Sequence, residues 1–224
     1  MGLNTLNTNK LVINLPPREP NGQGNFSTIE LGGGLKRHLC PILGPINDDA
    51  PWQTLLHELT KANIDDEFTF LFNSPGGSVS VGTTLINAIQ NTKATTYGVV
   101  VGECASIAAL MLCTCANISA APLTHVMFHG TSGCLGGRTL DIEEQTTAIN
   151  EYMVAMFDTL CSKLLTVEER KLIITTKRDF YLSALEVNKR CASQVDEPQP
   201  ASNEPSGQIS LEAMLPSLLS LGGN

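Results

Sequence analysis

Two side chains suited to nucleophilic chemistry each stand beside a glycine-rich or tight turn. Ser106 follows the apolar run TTYGVVV through the tetrapeptide GECA and opens an apolar, helix-like segment. His129 ends the run HVMFH and precedes the stretch GTSGCLGGR. A serine hydroxyl is a weak nucleophile unless a base takes its proton, and histidine is the most common base. Taken singly, Ser106 is more typical of a helix N-cap and His129 of a capped or core histidine.

A paired-glycine turn, Pro75-Gly76-Gly77, follows the aromatic run FTFLF. Paired glycines let the backbone approach a substrate closely, and N–H groups at a following helix N-terminus can hold a developing oxyanion. The turn, Ser106 and His129 each come after a buried strand, and open α/β sheets place their sites at the carboxyl ends of the strands. The turn by itself is weak evidence, because ordinary tight turns use the same residues.

Strands and helices alternate along the part of the chain that must position these residues. Short apolar runs predict strands at 39–43, 68–72, 95–101 and 125–129. Apolar side chains at helical spacing, or long apolar segments, predict helices at 52–59, 81–89, 106–115 and 141–165. This alternation predicts βαβ units and a mainly parallel sheet, and therefore the α/β class.

Composition divides the chain into three parts. Residues 1–37 mix Asn, Thr, Gly and Pro and predict an N-terminal arm, and residues 38–193 predict one catalytic domain. Residues 194–224 predict a flexible linker and tail, because 194–208 is rich in Pro, Ser and acidic residues. Within the tail, Ile209 to Leu221 carries leucines on one helical face, which fits a short docking peptide and a frayed end equally well.

Charge and hydropathy exclude several classes of partner. The formal net charge is −8, which argues against nucleic acid, since such proteins cluster Lys and Arg. The first ten residues lack the apolar segment of a secretory signal, and no stretch approaches the roughly 18 apolar residues of a membrane span. We therefore expect a cytoplasmic protein with no membrane partner. Only 16% of the residues are charged, which favours burial of surface in an oligomer.

The seven cysteines are odd in number and lie mostly in apolar segments, which predicts reduced thiols in a cytosol. Cys113 and Cys115 are one residue apart, but no second pair stands at zinc spacing, so we expect no metal. The sequence has no P-loop either. We predict no cofactor, and any dependence on ATP would belong to a partner.

Four segments in order, NSPGGSVSVG, GECASIAAL, HVMFHGTSG and KRDFYLSALE, resemble the catalytic blocks of the ClpP family over roughly residues 39 to 187. The resemblance implies a ClpP/crotonase-like ββα spiral with a mainly parallel sheet and a protruding handle helix. It assigns the catalytic serine, histidine and aspartate of that family to Ser106, His129 and Asp179.

The same resemblance implies where the oxyanion would be held. In the family this site uses a backbone N–H of the paired-glycine turn, here Gly76 or Gly77, and the N–H of the residue after the serine, here Ile107. The implied activity is that of a serine endopeptidase that cleaves polypeptide substrates through an acyl-enzyme on Ser106.

The segment from Gly130 to Leu165 is similar to the handle with which ClpP rings stack. The implied assembly is a homo-oligomer, a heptameric ring or two stacked rings, that encloses the sites in a chamber. Lys177 stands where many relatives carry an acidic residue tied to ring contacts, which favours single rings or a switchable assembly. Residues 1–38 and the C-terminal end depart from the family pattern, so an ATPase unfoldase partner is uncertain.

Divergent members of this kind occur in bacteriophages, so we expect either bacterial cytoplasm or a phage-infected host cell. Two other functions stay open at this stage. One is a catalytically idle ClpP-like assembly protein, and the other is a crotonase-type acyl-CoA enzyme, which shares the spiral and a backbone oxyanion hole. Retention of all three triad residue types favours the peptidase.

Overall fold

The computed structural model describes residues 27–30, 34–130, 139–176 and 178–192, with only the backbone described at 139–143. All of them lie within one compact unit, Arg18–Glu197. The predicted linker and tail, Lys177 and most of the predicted N-terminal arm lie outside the described residues, as does most of the glycine-rich stretch after His129.

The described residues form a seven-stranded sheet in the order β1-β2-β3-β4-β6-β7, with β5 also paired to β4. The strands β2, β3, β4 and β6 run parallel, β5 runs parallel to β4, and β1 and β7 are antiparallel to their neighbours. The strands are β1 Ser27–Glu30, β2 Lys36–Leu43, β3 Glu67–Ser74, β4 Thr95–Ala105, β5 Asn117–Ala120, β6 His125–Phe128 and β7 Phe180–Ser183. The predicted α/β class with a mainly parallel sheet is confirmed.

Six α-helices accompany the sheet in the described part of the chain. They are α1 Gln53–Lys61, α2 Val79–Asn91, α3 Ile107–Thr114, α4 Thr139–Leu160, α5 Val167–Thr176 and α6 Ala184–Ala192. Short 3-10 turns precede α1 and follow α4. Each predicted strand and helix is present, and most bounds differ by a few residues.

The central strand β3 shows why the aromatic run FTFLF forms a strand. Phe68, Phe70 and Phe72 are fully buried, and their ring centroids are 6.3 and 6.4 Å apart along the strand. The residues between them are also buried, because helices and neighbouring strands cover both faces of the sheet. A strand that is buried on both faces has a continuous apolar sequence instead of an alternating one.

The helix α3, which begins directly after Ser106, is buried on all sides. Every residue from Ile107 to Cys113 is buried, so the helix shows no polar face. Gly82 of α2 packs against the Ile107 side chain so closely that no other side chain fits at that position. The helix that begins directly after Ser106 is therefore held in place by the core.

The long helix α4 packs part of its predicted apolar stripe on the core of its own chain. Met153, Met156 and Leu160 are buried, and Ile149 packs against the same core cluster. The side chain of Ile142, at the other end of the predicted stripe, lies outside the described residues. The C-terminal half of α4 thus belongs to the core of the single chain.

Apart from β1, which lies in the predicted N-terminal arm, four elements of the described chain were not predicted from the sequence. The strands β5 and β7 have four residues each, too few to show a period. The helix α5 buries only Ile173, and the helix α6 is fixed by Arg190, which binds Glu169 at 2.6 Å and Glu186 at 2.7 Å. These elements depend on tertiary contacts more than on their own sequence pattern.

The cysteines in the described residues are free thiols, and all but Cys191 are buried. Burial raises the pKa of Cys40 and Cys104 well above the usual range of a thiol. Across the described helices, none is long and apolar enough to cross a membrane. In the same residues, no cluster of three or more His, Cys, Asp or Glu side chains is placed to hold a metal ion.

Candidate active site

Ser106 occupies a sharp turn between strand β4 and helix α3. Its backbone has φ 58° and ψ −128°, a conformation that residues with a side chain seldom adopt. Its N–H donates to the carbonyl of Met127 at 2.9 Å, and its carbonyl accepts from the N–H of Ala109 at 3.0 Å. A strained strand-to-helix turn of this kind presents a nucleophile above the edge of a sheet.

The hydroxyl of Ser106 is not used as a helix cap. Ser106 stands at the N-cap position of α3, yet its side chain makes no capping hydrogen bond. The residue is half-buried, so the side chain sits at the surface of the core and not inside it. The N-cap interpretation therefore does not account for a serine at this position.

Strand pairing brings His129 beside Ser106. The strands β4 and β6 run parallel, and their last pair is Ala105 with Met127. The hydrogen bond from Ser106 to Met127 continues this register by one step. His129 follows two residues after Met127, so both candidates leave the sheet at the same carboxyl edge, on strands about 4.8 Å apart.

Asp179 reaches the same edge from the opposite direction. The strands β6 and β7 run antiparallel, and their last pair is Phe128 with Phe180. His129 directly follows Phe128, and Asp179 directly precedes Phe180, so the two residues leave this pair at the same end. Opposed residues of an antiparallel pair have Cα atoms about 5 Å apart, and one further step of this register would set His129 opposite Asp179.

The side chains themselves are not joined. His129 is half-buried and Asp179 is exposed. Within the described part of the chain, no hydrogen bond connects the side chains of Ser106, His129 and Asp179. The backbone thus brings the three residues to the same edge of the sheet. A catalytic triad would also require the His129 and Asp179 side chains to turn toward each other.

The paired-glycine turn packs directly on the serine turn. A Cβ atom on Gly76 would stand 2.7 Å from the Ala105 carbonyl oxygen and 2.7 Å from the Ser106 Cβ, which are impossible contacts. It would also stand 3.1 Å from the Ile107 nitrogen. Gly76 has φ +91°, so both its conformation and its surroundings require glycine. The turn and the N–H of Ile107 therefore flank the same small space.

Cys104, two residues before Ser106, is not a competing nucleophile. It is fully buried, and burial raises the pKa of its thiol well above the usual range. A thiol in this state holds almost no thiolate near neutral pH, and the thiolate is the reactive form. The accessible nucleophile candidate of the turn is the Ser106 hydroxyl.

Two polar residues at the end of β3, directly before the turn, were not given a role from the sequence. Asn73 accepts the N–H of Glu103 on its Oδ1 at 3.1 Å, where the pairing of β3 with β4 shifts by a bulge. Ser74 is fully buried and bonds to the backbone on two sides. The only signal in the sequence is their place before Pro75-Gly76-Gly77, which is equally typical of an ordinary turn.

A model of the Clp protease family matches residues 36–190, which span all the residues of this site. The chain belongs to the Clp protease family. It is accordingly a ClpP-like peptidase, a hydrolase, as the four sequence blocks predicted.

Individual members of the Clp protease family agree with the match. ATP-dependent Clp protease proteolytic subunit 1 of Borreliella burgdorferi is 27% identical over 183 residues, which cover 79% of this chain and 93% of that protein. ATP-dependent Clp protease proteolytic subunit of Borreliella afzelii is 27% identical over 160 residues, 69% of this chain and 80% of that protein. The likeness covers more than two thirds of this chain and at least four fifths of each relative.

The close packing of the turn on the serine predicts the effect of Gly76→Ala. We expect the added methyl group to displace the turn from Ser106 and to lower kcat/KM for a fluorogenic peptide by about 100-fold or more, as when an oxyanion donor is lost. Gly34→Ala is the matched control, because Gly34 has φ +87° and nothing within 4 Å of the added atom. Both variants carry backbone strain on the order of 1 kcal/mol.

Peptide turnover and thermal unfolding are measured for both variants. Together they distinguish the effect of backbone strain, which both variants share, from the loss of the contact between the turn and Ser106. Equal activity in Gly76→Ala and Gly34→Ala would show that the turn does not need to touch the serine.

Proposed function

We propose that this Clp protease family member is a serine endopeptidase that forms an acyl-enzyme on Ser106. His129 is the general base and Asp179 orients the histidine. The observation that carries this proposal is the strand register, which brings these three residues to one edge of the sheet. The strained backbone of Ser106, with its hydroxyl not used as a cap, supports the role of nucleophile.

The arrangement supports a complete acyl-transfer cycle. His129 takes the proton of Ser106 Oγ as the oxygen attacks the carbonyl carbon of the scissile bond. The backbone N–H of Ile107, with that of Gly76 or Gly77, holds the oxyanion that forms. The C–N bond then breaks, and His129 gives its proton to the leaving amine. His129 then takes a proton from a water molecule as its oxygen attacks the ester, and gives that proton to Ser106 Oγ as the ester C–O bond breaks.

The proposed enzyme works as a homo-oligomeric ring, most simply of seven subunits and in single or stacked form, that encloses the sites. Large apolar side chains on the described surface support burial against neighbouring copies, among them Leu123 (102% exposed), Leu185 (80%) and Tyr181 (59%). Its substrates are polypeptides that enter the chamber. We place it in bacterial cytoplasm or in a phage-infected host cell, and an ATPase partner is not required for this proposal.

A second candidate is a catalytically idle ring that serves assembly. The observation in its favour is that Asp179 is exposed and makes no hydrogen bond to His129 in the described part of the chain. A crotonase-type acyl-CoA enzyme has less support, since the match is to the Clp protease family. A serine-directed fluorophosphonate that labels the chain separates the peptidase from both.

We expect Ser106→Ala to abolish both fluorophosphonate labelling and cleavage of a small fluorogenic peptide. The hydroxyl is the proposed nucleophile and contributes little packing, so the midpoint of thermal unfolding should change little. Wild-type turnover by the purified variant would show that Ser106 is not the nucleophile, and unlabelled wild-type protein would favour the idle ring.

We expect Asp179→Asn to lower kcat on the order of 10⁴-fold, by analogy with serine peptidases in which the acid fixes the histidine tautomer. Asp179 is exposed, so its replacement should leave folding intact and the loss should be purely catalytic. Steady-state kinetics of the purified variant provide the measurement. A change within about threefold would indicate a Ser106–His129 dyad in which Asp179 has no role.

Light scattering at several protein concentrations tests the chamber. We expect a mass several times that of the 24.0 kDa chain, most simply about sevenfold or its double, because the exposed apolar side chains gain by burial. A species that keeps the mass of one chain at every concentration would leave an open peptidase without a chamber.

A further inference from the structure

Ser74, the last residue of β3, connects two backbone segments through a single buried hydroxyl. Its Oγ donates to the carbonyl of Gly44 at 2.6 Å and accepts the N–H of Gly76 at 3.1 Å. Ser74 is completely buried, so water cannot replace either partner. Loss of the hydroxyl would leave the Gly76 N–H in a buried place without its acceptor, which is costly.

The neighbouring groups of the turn are held by the loop after β2. Ile46 donates its N–H to the Gly76 carbonyl at 2.8 Å, and its own carbonyl accepts the N–H of Ser78 at 2.7 Å. This is a parallel bridge between Ile46 and Gly77, in which the N–H of Gly77 itself takes no part. In such a bridge the N–H of the paired residue points to the opposite side of its strand.

These bonds distinguish the two glycines of the turn. The Gly76 N–H is used by Ser74, whereas the Gly77 N–H points away from Ile46. Gly76 is buried and Gly77 is exposed, so Gly77 is the glycine of the turn that a substrate can approach. The turn flanks Ser106 and the Ile107 nitrogen, as the contacts at the Gly76 Cβ position show. A carbonyl oxygen bound to Ser106 would therefore meet the N–H groups of Gly77 and Ile107.

We infer that Ser74 is a positioning residue for the oxyanion hole: by holding the Gly76 N–H, its hydroxyl directs the Gly77 N–H toward the oxygen that becomes negative in the reaction. The inference rests on the proposed peptidase function. Ser74 does not touch the substrate. It acts through the turn, in the way that outer residues fix the donors of an oxyanion hole before the reaction begins.

The chain offers a matched control for Ser74→Ala at the far end of the sheet. Thr92 uses its Oγ1 in the same way, since it donates to the carbonyl of Leu59 at 2.9 Å and accepts the N–H of Ala94, two residues on, at 3.4 Å. It precedes β4, whereas the active site follows β4. Thr92→Val removes a comparable pair of hydrogen bonds without touching the turn.

The test compares wild type, Ser74→Ala and Thr92→Val as full-length chains, with active sites counted by fluorophosphonate titration. We expect Ser74→Ala to lower kcat per titrated site by about 10- to 100-fold with KM within about threefold, because oxyanion contacts form mainly in the transition state. Affinity for a peptide aldehyde, whose hemiacetal oxygen occupies the same place, should fall by a similar factor. Thr92→Val should keep kcat within about twofold.

Hydrogen exchange measured by mass spectrometry provides a readout that does not need activity. The amide hydrogens of the peptide over residues 72–78 should exchange faster in Ser74→Ala than in wild type. Their exchange rate should be unchanged in Thr92→Val. If Ser74→Ala fails to fold, Ser74→Cys keeps the volume with a weaker acceptor and should show an intermediate loss of kcat.

The outcomes separate this inference from the proposed function. Wild-type protein that neither labels nor cleaves overturns the peptidase proposal and with it the catalytic role of Ser74, while the exchange result still decides whether Ser74 holds the turn. An active wild type with unchanged kcat and unchanged exchange in Ser74→Ala overturns the inference alone. So does a loss of kcat that the aldehyde affinity does not follow.

Discussion

The pairing of β4 with its neighbours is the constraint on which the site depends. The hydrogen bond from the Ser106 N–H to the Met127 carbonyl, at 2.9 Å, joins the end of β4 to the end of β6. It fixes the position at which Ser106 leaves the sheet relative to His129. The antiparallel register of β6 with β7 then fixes the position at which the chain passes from Asp179 into the sheet. A shift of one residue in either pairing would turn the side chains to the other face and separate them.

Close backbone packing joins the paired-glycine turn to the serine turn at this edge of the sheet. Gly76 rests on Ser106 because it has no side chain, and the α3 helix that starts at Ile107 is fully enclosed by the core. A helix N-terminus directs N–H groups outward, and rigid packing fixes where they point. In the proposed mechanism, the same core that stabilises the fold would hold the Ile107 donor in place before the reaction, and donors fixed in this way are the main source of electrostatic catalysis.

The two ends of the proposed triad differ in how firmly they are held. Ser106 is fixed by its own backbone bonds and by α3, whereas Asp179 precedes a four-residue edge strand and is exposed. Large apolar side chains are exposed on and beside the same strand, at Tyr181 and Leu185. Burial of this edge by a second copy would lower the local dielectric and strengthen a contact between Asp179 and His129. Assembly through β7 would then strengthen the contact on which the proposed catalysis depends.

The sequence by itself determined the residue types, their order and the main strands and helices, because buried runs such as FTFLF and glycine turns carry their own local conformation. It also determined the family, through four spaced blocks. Only the tertiary structure decided the edge strands β5 and β7, the pairing of β6 with β7 beside the serine turn, and the different hydrogen bonds of Gly76 and Gly77. The physical reason is that these features depend on hydrogen bonds between segments far apart in the chain, as Ser74 shows by joining Gly44 to Gly76. No local sequence pattern predicts which distant carbonyl will accept a hydrogen bond from a buried hydroxyl.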